Sequence, residues 1–315
     1  MTLVLWPPLP AHWVSAIRAA AGTETVIAPA SEDEAREAAR EAEGWIGRLT
    51  PNLLEHAPRL RWLQAPSISL ESVLFPDLAA SDVAVTNMRH IFDDLISTHV
   101  AALFLALCRD LPRLARRQAE AVWLAEAEVQ VRTPDAMTVL LMGLGGIGAE
   151  TARRLAVFGP RIVGVDPKVT VPPPGVAVVH TPDHLPTLLP DADAVIICAP
   201  QTPETTGLFG DDLFARMKRG ALFINIGRGK IVLLDALVRA LQSGQIGGAG
   251  IDVFETEPLP VASPLWAMEN VIVTPHSAGY GPGTEARRLA VVVDNVRRFI
   301  ADEPLTNIAD KQRWY

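Results

Sequence analysis

The stretch that most constrains this chain is Thr138-Val139-Leu140-Leu141-Met142, followed at once by Gly143-Leu144-Gly145-Gly146-Ile147-Gly148. The apolar and β-branched residues read as a buried strand. Behind the glycines, Ala149 to Phe158 reads as a helix with Ile147, Leu155 and Phe158 on one face and Gly159-Pro160 stopping it. In this spacing Gly143 permits the tight turn, Gly145 lets backbone approach a pyrophosphate, and Gly148 lets the helix pack closely on the strand. The helix start, with Gly146 and Ile147 in its first turn, offers free N–H groups and a positive dipole end to phosphates. A second strand, Arg161 to Val165, ends in Asp166, about 20 residues past the glycines, where an acid accepts a hydrogen bond from a ribose 2′-OH. The pattern predicts a dinucleotide site. Asp166 should repel a 2′-phosphate and favour NAD over NADP, while Lys168 nearby could soften that preference.

With 315 residues the chain can build two domains, each with its own core. Hydrophobic residues at 49% and charged residues at 20% describe a globular protein rather than a disordered one. The net charge of −8 argues against a nucleic-acid partner, which calls for a basic domain or stripe. The only cysteines, Cys108 and Cys198, sit in apolar patterns and permit neither a disulfide framework nor a metal motif. No metal is expected, and a reducing, cytoplasmic compartment suits the chain. The N-terminus runs straight into a strand-like Thr2–Trp6 without a basic leader, and no apolar run is long enough to span a membrane. Neither a signal peptide nor a membrane partner is expected.

The first ninety or so residues alternate candidate strands (3–6, 24–28, 44–47, 60–64, 83–86) with helical patterns (14–21, 32–43, 51–57, 71–78). That alternation predicts a small parallel sheet flanked by helices, with no phosphate-type glycine loop of its own. From Asp93 the pattern changes. Asp93 and Asp94 can cap a helix whose Leu95, Ile96, Val100, Leu103, Phe104 and Leu107 cover more than one face, so it must be buried between domains or between subunits. Pro112 to Pro134 has no clear pattern. Beyond Asp166, strands are expected at 194–198, 222–226, 249–253 and 271–274, a helix at 234–242, and a final helix from Thr284 with Leu289, Val292, Val293, Val296 and Phe299 on one face. The architecture expected is α/β: residues 93–282 form a Rossmann-type, doubly wound parallel-sheet domain. Residues 1–92 form a smaller flavodoxin-like domain, completed by 283–315.

In an open parallel sheet, ligands bind beyond the carboxyl ends of the strands. Those ends here are Gly143–Gly148, Asp166, Ala199-Pro200, Gly227-Arg228-Gly229, Asp252 and His276. Chosen by position alone, they include a cation, two acids and a histidine. A guanidinium such as Arg228 can hold a carboxylate with an adjacent carbonyl through two parallel N–H bonds. An imidazole such as His276 exchanges a proton near neutral pH. Either glutamate of Phe254-Glu255-Thr256-Glu257-Pro258 could pair with that imidazole. His90 and His99 are assigned structural roles.

Residues 138–281 resemble the D-isomer-specific 2-hydroxyacid dehydrogenases. The resemblance lies in Gly143-Leu-Gly-Gly-Ile-Gly148, Pro200-Gln-Thr-Pro-Glu-Thr205, Asn225-Ile-Gly-Arg-Gly229, Ile251-Asp-Val-Phe-Glu-Thr-Glu-Pro258, and Ser263-Pro-Leu-Trp266 leading to Thr274-Pro-His276. It implies that Arg228 binds substrate, that His276 is the acid/base, and that Glu257 rather than Glu255 is its partner. It implies cofactor contacts from Ala199, Pro200, Thr205, Ile226, Gly227, Arg228 and Asp252. It also implies that backbone N–H groups at Ile68 and Ser69 hold the substrate carboxylate. Ser67 and Ser69 stand where the family carries glycines, so a left-handed backbone at either would be strained. The glutamate usual in the long helix is replaced around Ser97-Thr98-His99.

The reaction implied is hydride transfer between NAD(H) and a small 2-oxo or D-2-hydroxy acid. A glyoxylate/hydroxypyruvate reductase using NADPH would share every catalytic residue. A non-catalytic NADH-sensing scaffold, which keeps the same trio, is the rival from another class. The over-apolar helix and the resemblance together imply a homodimer with Trp123 as an aromatic anchor on the partner.

Overall fold

The computed structural model describes residues 1–312 and Trp314. The chain folds into two compact units, one made of Met1–Ile91 with Pro282–Tyr315 and the other of Phe92–Gly281.

The first unit alternates β1 (Thr2–Trp6), α1 (Ala11–Ala21), β2 (Thr25–Ile27), α2 (Glu32–Ala39), β3 (Gly44–Gly47), α3 (Pro51–Glu55), β4 (Trp62–Gln64), α4 (Pro76–Ala80) and β5 (Ala84–Thr86). Its strands pair in parallel in the order β2-β1-β3-β4-β5, the flavodoxin-like arrangement. Ser31 caps α2 by accepting from Glu34 N, and Thr50 caps α3 by accepting from Leu53 N. The helix expected over 71–78 is shorter and later. Pro76 suits the first helical position, and the residue before it, Phe75, is held extended at φ −124° and ψ 163°. Residues 70–74 form only turns back to the Leu70 carbonyl.

The second unit contains α5 (Asp93–Cys108), α6 (Leu111–Ala119), β6 (Thr138–Met142), α7 (Gly146–Leu155), β7 (Arg161–Val165), β8 (Val176–His180), α8 (Leu185–Leu188), β9 (Ala194–Ile197), α9 (Asp211–Arg216), β10 (Ala221–Asn225), α10 (Leu234–Gln242), β11 (Ile246–Ile251) and β12 (Val271–Val273). The strands are all parallel, in the order β12-β11-β10-β9-β6-β7-β8, which is doubly wound about β6 and β9. Alternate residues of each strand enter two separate cores. Leu140, Val163, Val195 and Phe223 face α10 and Phe209, whereas Leu141, Ile162, Ile196 and Ile224 face α5 and α7. Burial on both faces is why these strands read as continuous apolar runs.

Three local readings change. Asp93 and Asp94 lie in the first turn of α5 behind Phe92, at the positive end of the helix dipole. Phe158 is 42% exposed, because α7 tightens after Leu155 into a 3₁₀ turn over Ala156–Phe158 and the helical phase shifts. The edge strand β8, only partly buried, was not expected. Burial pushes the Cys108 thiol up to about 11 and that of Cys198 up to about 12, so both are neutral at physiological pH. Among the described residues no single helix is long and apolar enough to cross a membrane.

After Gly281 the chain returns to the first unit through α11 (Thr284–Ile300), which packs against α1 and buries Val292, Val296 and Phe299. Phe299 meets Trp62 with ring centroids 5.1 Å apart. On the same face the buried Asn295 donates to Gln64 Oε1 at 2.9 Å and accepts from Thr306 N at 2.8 Å. Asn295→Leu takes one of two donors from the buried Gln64 Oε1, which keeps Thr86 Oγ1, and removes the acceptor of Thr306 N. It should cost roughly 2–4 kcal/mol in urea unfolding, and a loss below about 1 kcal/mol would show that these bonds are readily replaced.

Candidate active site

The glycine turn forms as the spacing requires. Gly143 has φ +89°, and a Cβ on Gly148 would lie 1.9 Å from the Gly143 carbonyl oxygen, so strand and helix meet at a distance only glycine allows. Gly145 is exposed with open space around its missing side chain. It also precedes α7 without supplying a side-chain cap, and the half-buried Gly146 and Ile147 follow it. A backbone cradle without a capping side chain, at a helix N-terminus, fits a pyrophosphate.

Asp166 does more than end β7. Its Oδ2 accepts from Leu144 N at 2.8 Å, and its Oδ1 accepts from Lys168 N at 2.8 Å and Val169 N at 3.0 Å. The acid therefore ties the glycine turn to the end of the next strand. Across the sheet, Ala199 is buried against Gly143, and Thr205 closes the following turn by donating to the Pro200 carbonyl at 2.9 Å.

At the end of β10, Asn225 is 1% exposed. Its Oδ1 accepts from Gly227 N and its Nδ2 donates to the Arg228 carbonyl, both at 3.1 Å. Ile226 and Gly227 are buried beneath, and the half-buried Arg228 donates through Nη1 to the Gly227 carbonyl at 2.6 Å. Sequence reasoning missed Asn225 as the residue that shapes this turn. The signal was present, since an asparagine two residues before a glycine readily makes such a side-chain turn.

One strand over, β11 leads to Asp252 and on to Glu257. Glu257 Oε1 accepts from Phe254 N at 2.9 Å, and its Oε2 accepts from His276 Nδ1 at 2.8 Å. Glu255 instead accepts from Leu234 N at 2.7 Å. The glutamate paired with His276 in this geometry is Glu257. His276 is about half exposed and has φ +51°, in the left-handed region, with its N–H donating to the Asp252 carbonyl at 2.8 Å. Asp252 itself is 1% exposed. Its carboxylate accepts from Thr274 Oγ1 at 2.6 Å, Ser277 N at 2.9 Å and Ala278 N at 3.1 Å. This carboxylate shapes the turn that carries His276. His99 Nε2 lies 3.1 Å from Thr274 Oγ1 and braces the same turn from α5.

In the first unit, Ser67, Ile68 and Ser69 all have negative φ, so the strain expected from replacing glycine does not arise. A cavity of about 430 Å³ opens beside this loop at the carboxyl end of the first sheet, with Trp13, Ile46, Gln64, Pro66, Met88 and Arg288 in its wall.

Residues 101–278 match the family model of the D-isomer specific 2-hydroxyacid dehydrogenase NAD-binding domain. The chain is 35% identical over 276 residues to a glyoxylate/hydroxypyruvate reductase B of Escherichia fergusonii, spanning 86% of this chain and 85% of that one. The fold superposes at a TM-score of 0.83 on a D-isomer specific 2-hydroxyacid dehydrogenase of Xanthobacter autotrophicus Py2 in complex with NADPH and MES. That protein is 32% identical, with 100% and 99% of the two chains covered. It superposes at 0.76 on the D-lactate dehydrogenase of Aquifex aeolicus complexed with NAD and lactic acid, at 25% identity and 96% coverage of each chain.

The contact between the two strand ends is testable. A Cβ on Gly229 would lie 1.9 Å from the carbonyl carbon and oxygen of Phe254. Gly229→Ala must push the 254–257 segment away from Arg228. It should lower stability by roughly 1–3 kcal/mol in thermal unfolding, and an unchanged melting curve would contradict this packing.

Proposed function

The chain belongs to the D-isomer-specific 2-hydroxyacid dehydrogenases, and from that membership we propose that it reduces small 2-oxo acids to D-2-hydroxy acids with NADH. The observation that carries the catalytic assignment is the 2.8 Å hydrogen bond from His276 Nδ1 to Glu257. A carboxylate at Nδ1 keeps the proton on that nitrogen and leaves Nε2 as the atom that exchanges protons. Bound at the glycine turn, the nicotinamide cofactor supplies a hydride to the carbonyl carbon of the substrate. His276 gives its Nε2 proton to the carbonyl oxygen during reduction and takes it back during oxidation. Arg228 holds the substrate carboxylate through parallel N–H bonds and draws charge from the adjacent carbonyl. The amides of Ile68 and Ser69 supply further donors to that carboxylate.

Gly143, Gly145, Gly146, Ile147 and Gly148 hold the pyrophosphate in this reading, with Ala199, Pro200, Thr205, Ile226 and Gly227 lining the rest of the cofactor site. Asp166 supports NADH over NADPH, because its charge opposes a 2′-phosphate and its oxygens accept from a free ribose hydroxyl. A second reading, a glyoxylate/hydroxypyruvate reductase using NADPH, draws support from the similar reductase of E. fergusonii and the NADPH complex of the Xanthobacter protein. A non-catalytic NADH sensor would bind cofactor without turnover. We place the enzyme in the cytoplasm, where neutral, unpaired thiols and a nicotinamide pool coexist.

We also infer a homodimer. Trp123 is 97% exposed, and Leu111, Val122 and Val131 around α6 are each about half exposed. A second copy is the partner that would cover them.

The reading is tested with glyoxylate, hydroxypyruvate and pyruvate against both cofactors. NADH oxidation should outpace NADPH oxidation, and His276→Ala should lower turnover by roughly 10²–10⁴-fold. Faster turnover with NADPH would overturn the cofactor assignment, and an active His276→Ala enzyme the catalytic one. Light scattering at micromolar concentration should give twice the chain mass, falling toward one chain in Trp123→Ala. A single-chain mass for the unaltered protein would remove the dimer.

A further inference from the structure

The loop that follows β4 has an unusual hydrogen-bond balance. The Ser67 carbonyl accepts from Met88 N at 3.2 Å, and the Ile68 carbonyl from Asn87 Nδ2 at 2.8 Å. The Ser69 carbonyl accepts from Ser67 Oγ at 2.8 Å, and the Leu70 carbonyl from Val73 N and Leu74 N. Successive acceptors of this loop are thus consumed inside the protein. A trans peptide is planar, with its C=O and the following N–H on opposite sides. Fixing the Ser67 and Ile68 carbonyls against residues 87 and 88 therefore turns the N–H groups of Ile68 and Ser69 to the other side. Those are the amides assigned to the substrate carboxylate.

Asn87 is 0% exposed, and its main-chain N–H and both polar side-chain atoms are engaged. Its N–H donates to the Asn307 carbonyl at 3.1 Å, and its Oδ1 accepts from Arg89 N at 3.2 Å. Asn307 Nδ2 in turn donates to the Arg89 carbonyl at 3.0 Å, and Arg89 Nη2 to the Ile308 carbonyl at 2.8 Å. Ala309 N donates to the Val85 carbonyl at 2.8 Å, and Ile308 pairs antiparallel with Thr86. The segment after α11 thus lies along the end of β5 and braces the residue that holds the loop.

We propose that Asn87 is a positioning residue for substrate binding. It clamps the 68–69 peptide so that its amide is presented to an anion, and the 306–309 segment keeps Asn87 in place. This inference rests on the reading of Ile68 and Ser69 as carboxylate donors. It explains how a loop with serines in place of glycines serves that role: side-chain and main-chain donors from residues 87 and 88 set peptide orientations that glycine freedom sets elsewhere. A clamped loop loses no backbone freedom on binding, whereas an unclamped one must be ordered by the substrate.

The test is steady-state kinetics of Asn87→Asp and Asn87→Ala with the best 2-oxo acid, alongside NADH affinity measured by fluorescence. Asn87→Asp keeps the shape and the acceptor for Arg89 N, but sets an oxygen against the Ile68 carbonyl. Both variants should raise KM for the 2-oxo acid about tenfold, with kcat within about twofold and NADH affinity unchanged. A merely structural role would spread the loss over kcat, KM and NADH affinity, and that pattern would overturn the proposal, as would an unchanged KM. Should neither variant fold, Ser67→Ala removes a half-exposed tie of the same loop. A raised KM there supports the clamp and an unchanged KM refutes it. Absence of 2-oxo acid turnover in the unaltered enzyme is a separate result, which removes the functional reading and the inference with it.

Discussion

One buried carboxylate organises the turn that carries His276. Asp252 has almost no solvent contact, and an anion in that position is tolerable only if its oxygens are fully hydrogen-bonded. Thr274 Oγ1, Ser277 N and Ala278 N do this, so the turn over 274–278 is wrapped around the acid. The Asp252 carbonyl also takes the His276 N–H, which helps hold a non-glycine residue at positive φ against an inherent preference of about 1–2 kcal/mol. Thr274 has a single hydroxyl proton and gives it to Asp252. His99 Nε2 must then donate to Thr274 Oγ1, which fixes the tautomer of a second histidine behind the first. The imidazole at the surface is held by Glu257 and stands on a turn set by donors that never touch the ring.

Sheet geometry decides where such groups can be placed. Strands covered on both faces have no room for polar side chains along their length, so polarity is confined to their ends. At the carboxyl ends of β7, β10 and β11 stand Asp166, Asn225 and Asp252. Each turns its side chain back onto nearby amides and so sets a loop. Neighbouring ends are then locked together by approaches that tolerate no side chain, as between Gly229 and Phe254. Arg228 and Glu257 are thereby set by two adjacent strands rather than by flexible connections.

Much of this was legible in the sequence, for physical reasons that differ from part to part. The strand and glycine spacing of 138–148, the acid at 166 and the strand-end residues 228 and 276 are local patterns, and local patterns survive without coordinates. The choice of Glu257 over Glu255 came from the family resemblance and not from any local pattern, since Leu234 N captures Glu255 from another part of the chain. Asn87 and Thr274 were invisible for the same reason, since each matters through a partner far away in sequence. The edge strand β8 was lost and the short helix α4 misplaced because few of their residues are buried and prolines interrupt their surroundings. The strain anticipated at Ser67 and Ser69 was a sound inference from residue type. It fails because main-chain and asparagine donors supply an orientation that needs no positive φ.

A chain with a net charge of −8 that binds an anionic cofactor and an anionic acid looks electrostatically mismatched. The hydrogen bonds remove the conflict. Asp166 is occupied by the amides of Leu144, Lys168 and Val169, Asp252 by those of Ser277 and Ala278, and Glu257 by Phe254 N and His276. These acids help shape loops, and each N–H bond to a carboxylate partly offsets its charge. The groups proposed to meet an anion are donors: the start of α7, the guanidinium of Arg228, the imidazole of His276 and the 68–69 amides. The same logic runs through the neutral side chains, since Asn87 and Asn225 both spend their Nδ2 groups on carbonyls, of Ile68 and Arg228. In the proposed reading, the sign of a binding site follows from the local pattern of hydrogen bonds and not from the net charge of the chain.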